Sequence, residues 1–153
     1  MRSLISGAMA LALQSCSAGE RRAEISVAEG WTRQIAPGQS TAAVYLTIAN
    51  RGDGGDLLIG VDAAQGQASL HSSSSADGVA RMRPLEDGLE IGPRSMVELK
   101  PGGTHIMLAG IRQRASPGDT MDLTLGFERS GKRPISIRVV PADGDGRHSG
   151  HSM

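Results

Sequence analysis

Between Thr41 and Asn50 the chain alternates without a break. Ala42, Val44, Leu46 and Ile48 share one parity, and Ala43, Tyr45, Thr47 and Ala49 the other. Successive side chains of a strand point to opposite faces, so the run reads as a strand with one face on a core. Shorter stretches repeat the pattern. Ile25 and Val27 alternate with Ser26 and Ala28, Gln67–His71 alternates around Ala68 and Leu70, and Met121, Leu123, Leu125 and Phe127 mark a half-buried strand. Leu57–Val61, Val79–Met82, Thr104–Leu108 and Ile135–Val139 add further short strands, and two more flank Gly92-Pro93-Arg94. Turn chemistry separates them at Ala36–Gln39, Pro101–Gly103, Ser116–Asp119 and Arg129–Lys132. Ser72–Ser75 with Asp77-Gly78 reads as a loop, and Arg51–Asp56 as a solvated turn. Eight to ten short strands and no helix predict an all-β, Greek-key sandwich or barrel. Trp31, Tyr45 and Phe127 are the only aromatic residues, so the core must be Leu, Ile, Val and Ala, with Trp31 packed into it.

Charge and cysteine content narrow the function. The formal net charge is zero and Lys and Arg form no stripe, which argues against nucleic-acid binding. Cys16 is the only cysteine, so neither an internal disulfide nor a Cys-x-x-Cys site can exist. There is no nucleophile elbow and no phosphate-binding glycine loop, so the chain does not read as an enzyme.

The residues that do suggest chemistry lie between His71 and Met107. His71 and Met82 are separated by ten residues, and His105-Ile106-Met107 follows. In a strand, His105 and Met107 fall on one face with Ile106 turned into the core. A hairpin would bring Met82 back beside His71. Two imidazoles and two thioethers suit Cu(I), whereas Mg²⁺ and Ca²⁺ want oxygen. Without a thiolate in the set, blue-copper electron transfer is a poor fit, and carriage of the metal is a better one.

The pattern His71, Met82, His105-x-Met107 resembles the PCu(A)C family of periplasmic copper chaperones. So do Gly30-Trp31-Thr32-Arg33, Ala42–Asn50, Met82–Leu85, Leu89–Ile91 and Val97–Leu108. The resemblance runs from about Glu24 to Pro141. It implies a cupredoxin-like fold and His71, Met82, His105 and Met107 as copper ligands. It further implies a copper-accepting partner, the copper centre of a cytochrome c oxidase subunit or a Sco-type protein. Ser72–Ser75 stands where family members often carry methionines.

The two ends read differently from the middle. Residues 1–16 form an export signal of lipoprotein type: Arg2, a short apolar run from Leu4 to Leu13, then Leu13-Gln14-Ser15-Cys16. On this reading Cys16 is lipidated, residues 17–23 are a tether, and the domain sits in the periplasm on a membrane anchor. The competing reading is ordinary cleavage after Ala18. The copper-binding β domain is expected over residues 24–141. Residues 142–153 lack apolar period and read as a disordered tail, in which His148, His151 and Met153 are candidates for a second site favouring Cu(II). The reading from a different class is an exported β-sandwich interaction module whose His and Met residues are structural.

Overall fold

The computed structural model describes residues 20–144 and 146. Ten strands follow in chain order: β1 (Ile25–Arg33), β2 (Thr41–Asn50), β3 (Asp56–Ala63), β4 (Gln67–Ala76), β5 (Val79–Pro84), β6 (Leu89–Ile91), β7 (Ser95–Leu99), β8 (Thr104–Ala109), β9 (Thr120–Phe127) and β10 (Gly131–Val140). No helix occurs among the described residues, so the all-β expectation holds. Hydrogen-bonded neighbours run β5-β4-β8-β2-β1-β10-β9-β3-β6, and β7 pairs the second half of β2 beside β8. Most neighbours are antiparallel; β1 and β10 are parallel.

The sheet folds over on itself around an aliphatic core. Val44, Leu46 and Ile48 of β2, with Ile106 and Leu108 of β8, pack in one cluster with Leu123, Leu125 and Phe127 of β9 and Ile137 and Val139 of β10. In β2, β8, β9 and β10 the core residues share one parity, as strand alternation requires. Burying side chains of this size stabilises by roughly 1.5–3 kcal/mol each.

Trp31 is the exception. It is buried, but it lies on the opposite face of the sheet from the core cluster, paired with Tyr45. The expectation of a core tryptophan is therefore corrected. A register shift between Ala28 and Trp31 is the cause. Ile25 and Val27 face the core, the bulge inserts a residue, and beyond it Thr32 faces inward instead. Gly30 sits in this bulge, where a Cβ would run into Ile137.

Two other expectations change. Ser72–Ser75 is strand, not loop: β4 and β5 pair up to Ala76 and Val79, leaving a two-residue turn. Asp77 (φ 53°) and Gly78 (φ 74°) both take the left-handed conformation a tight type I′ hairpin needs. The turn at Arg51–Asp56 is also less solvated than expected. Asn50 is 2 % exposed and makes four bonds there. Its Oδ1 accepts from the amides of Glu24 and Gly52, and its Nδ2 donates to the carbonyls of Gly54 and Gly92. Asp56, also buried, accepts from the amides of Leu57, Arg129 and Ser130. The chain is held before Ile25 as well. The Gly54 amide donates to the Arg22 carbonyl, and Ala23 packs on the core.

Candidate metal centre

β4 and β8 bring the two histidines together. His71 and His105 are direct cross-strand partners, and their rings lie 6.1 Å apart, nearly parallel. Met107, two residues on from His105 and half-buried, shares that face. Met82 does not pair with His71. Its partner is Ser73, while His71 faces Pro84. Because Ser73 and His71 have the same parity on β4, Met82 still lies on the His face, one diagonal step away. Met82 is 51 % exposed. All four expected ligands thus share one outer sheet face.

His105 is the more enclosed member of the pair. It is 3 % exposed, and its Nδ1 lies 3.0 Å from the Gly103 carbonyl, which can only accept. Nδ1 therefore carries the proton, and Nε2 presents a lone pair. That Nε2 is buried and has no hydrogen-bond partner among the described residues. An uncompensated buried polar atom costs on the order of 1–3 kcal/mol, which a bound metal would remove. Backbone carbonyls commonly fix ligating histidines in this way. The same carbonyl accepts from the Ser73 amide, so it ties the β4 backbone to the His105 tautomer. His71 is half-buried, with the Ser69 hydroxyl 3.4 Å from its Nδ1.

Among the described residues no three His, Cys, Asp or Glu side chains cluster to hold a metal. Besides the two imidazoles this face offers methionine sulfurs, a donor set that would suit a soft metal. Behind the pair stand two residues to which sequence reasoning gave no site role. The Tyr45 ring is 6.3 Å from that of His105 and 4.5 Å from that of Trp31. Burial pushes the Tyr45 phenol up from its ordinary value, against the opposing charge of Arg33. Parity in β2 already turned Tyr45 away from the core; the β2–β8 pairing, which aims it at His105, is not written in local sequence. Cys16, His148, His151 and Met153 lie outside the described residues. Also among the described residues, no helix is long and apolar enough to cross a membrane.

Fold and face together define an all-β, cupredoxin-like domain with histidine and methionine displayed on an outer sheet face. The LpqE-like family, described as "Putative lipoprotein LpqE-like", matches residues 25–139. The chain belongs to this family, within the PCu(A)C group to which its motif pointed. Among curated proteins it is similar to "Putative lipoprotein Lxx21020" of Leifsonia xyli subsp. xyli, 27 % identical over 82 % of this chain and 75 % of that one. It is also similar to the uncharacterized protein RP573 of Rickettsia prowazekii, 24 % identical over 66 % of this chain and 56 % of that one. Among solved structures, the copper-bound PCuAC domain from PmoF2 superposes with a TM-score of 0.64. It is 28 % identical, with 76 % of this chain and 92 % of that one covered. The apo DR1885 structure from Deinococcus radiodurans, at 20 % identity, TM-score 0.59, and 93 % and 98 % coverage, shares the fold. The family consists of copper-binding domains rather than enzymes.

Proposed function

We propose that the protein is an exported copper chaperone that carries one Cu(I) as cargo on His71, Met82, His105 and Met107. The observation that carries this reading is the His105 imidazole: buried, with Nδ1 at the Gly103 carbonyl and Nε2 without a partner, opposite His71. Likeness to a domain solved with copper bound supports it. Two neutral imidazoles and two thioethers suit Cu(I) and lack the thiolate of an electron-transfer site, so the metal is held without redox chemistry. The recipient is a copper-accepting protein, and we assign it as a cytochrome c oxidase subunit or a Sco-type protein. The lipoprotein descriptions of the family and of the Leifsonia relative support lipidation at Cys16 and a periplasmic, membrane-anchored domain. His148, His151 and Met153 supply a second, weaker site that favours Cu(II), which accepts imidazole donors.

The test is an anaerobic Cu(I) competition titration against a chromogenic chelator, on the wild type and on His105→Ala and Met107→Ala. One tight equivalent that both variants weaken is the expected result. Unchanged competition in both removes the site assignment and favours an interaction module in which these residues are structural.

A further inference from the structure

Every residue of β5 is exposed, and among the described residues β4 is its only neighbouring strand. The register decides which backbone groups are left unused. Asp77-Gly78 is a two-residue turn, so Ala76 and Val79 form the hydrogen-bonded pair that closes it. Hydrogen-bonded and non-hydrogen-bonded pairs then alternate along the ladder. Val79, Arg81 and Arg83 therefore turn their backbone groups toward β4, and Ala80, Met82 and Pro84 turn theirs outward. Pro84 lacks an N–H only on the open side, where β4 loses nothing by it. Side chains alternate as well. Ala80 and Met82 share the face of His71, and Val79, Arg81 and Arg83 occupy the other. Neither guanidinium makes an ion pair among the described residues.

We propose that the open edge of β5 is the docking site for an extended segment of the copper-accepting partner, one that alternates soft-metal ligands with carboxylates. In strand addition, main-chain bonds supply affinity and the alternating side chains supply specificity. A strand laid on this edge bonds to Ala80 and Met82. The residue it sets opposite Met82 must share that face, with its Cα about 5.5 Å away. A methionine or histidine there stands ready to take the ion from Met82. The residues on either side fall opposite Arg81 and Arg83, where carboxylates meet two unpaired guanidinium forks. A second copy of this chain would instead bring its own arginines to that face, a like-charge contact. Met82 suits the last step of a handover. It is 51 % exposed and lies on the strand outermost from β4 and β8, which carry the other proposed ligands. The ligand half of this inference rests on the copper reading above; the docking does not.

The metal-free, full-length protein tests the docking, with a short end-blocked peptide that alternates methionine with glutamate as the probe. The outward amides of Ala80 and Met82 should exchange freely in the protein alone and slow several-fold with the peptide. The Arg81 and Arg83 amides, already paired to β4, should change little. Ala80→Pro removes one outward donor without touching the β4 ladder. It should weaken the peptide by about tenfold and leave Cu(I) binding as in wild type. Arg81→Glu/Arg83→Glu should reverse the charge preference, so that a methionine–lysine peptide binds better than the glutamate one. Unslowed exchange at Ala80 and Met82, or equal binding of the two peptides to the wild type, overturns the docking site. Slowing that grows with protein concentration in the absence of peptide gives the edge to a second copy and overturns the partner. On the Cu(I)-loaded protein the methionine–glutamate peptide should bind more tightly than a threonine–glutamate one, and equal binding overturns the ligand role of the occupant. If the wild type binds no Cu(I), the copper reading fails, while amide exchange still decides the docking.

Discussion

His71 and His105 occupy directly opposed positions on β4 and β8, but their surroundings differ: His105 is fixed to the Gly103 carbonyl and buried, and His71 is half-open beside Ser69. On the proposed function, the preorganised member of the pair should carry most of the affinity. Losing an outer-shell partner of a ligand typically costs 10–100-fold, and losing the ligand itself costs no less. His105→Ala should therefore weaken Cu(I) binding by at least about tenfold. Met82→Ala, removing a half-exposed thioether, should cost markedly less. Equal losses in chelator competition would mean that burial does not rank these ligands.

Asp56 gives the fold an acid-sensitive point. Burial alone would raise its carboxyl, but bonds from Ser130 and from the Arg129, Leu57 and Ser130 amides outweigh it and hold the group below the usual carboxylate range. A depressed folded value stabilises above the unfolded pKa of about 3.9 and is lost as pH falls through the folded value. Asp56→Asn should cost about 2–3 kcal/mol at pH 7, from hydrogen bonds to a charged group. The gap to wild type should narrow below about pH 4. Urea midpoints across pH measure this, and a constant gap would show that the charge contributes nothing.

Asn50 joins three segments with one side chain: the residues before β1, the 50–54 turn and the turn after β6. Asn50→Leu strands two amides and two carbonyls that lie in and around the buried corner. Each orphaned buried group costs about 1–3 kcal/mol, so a loss of at least about 3 kcal/mol is expected. Thermal unfolding should show it, and a loss below about 1 kcal/mol would mean that water replaces Asn50 at this corner.

The β4–β5 turn fixes where Met82 stands. Gly78→Val forces a branched side chain into φ 74°, at a cost of roughly 1–2 kcal/mol. Every residue of β5 is exposed, so that cost should appear as fraying of the ribbon rather than as global unfolding. Amide exchange should quicken through Val79–Pro84 while β2 and β9 stay protected. Uniform acceleration throughout the sheet would refute this separation.

The extent to which all this was legible in sequence follows from range. Parity assigned Val44, Leu46, Ile106 and Leu125 to the core because alternation is a local property. The tight turn at Asp77-Gly78 was written in two residues, yet the serines before it read as loop, since serine carries little strand signal. Trp31 was misplaced because one inserted residue in β1 inverts everything after it, and an insertion leaves parity intact on either side. The His71–His105 register and the approach of Tyr45 depend on β4 and β2 both pairing with β8, across long stretches of chain. The clamps at Asn50 and Asp56 depend on partners as distant as Gly92 and Ser130. No local pattern encodes such contacts.

Among the described residues β5 ends the strand order on the side of His71 and His105, so one row of its backbone donors and acceptors has no strand beside it there. Such a border is where a sheet recruits foreign strands and grows into aggregates. Here Arg81 and Arg83 point to the face away from Met82, paired with Ser74 and Ser72, and Pro84 withholds an amide. Charge and proline on a border strand discourage stacking. Arginine and proline thus guard against polymerisation on a strand that the proposed function would keep open, so that its exposed methionine can meet a partner.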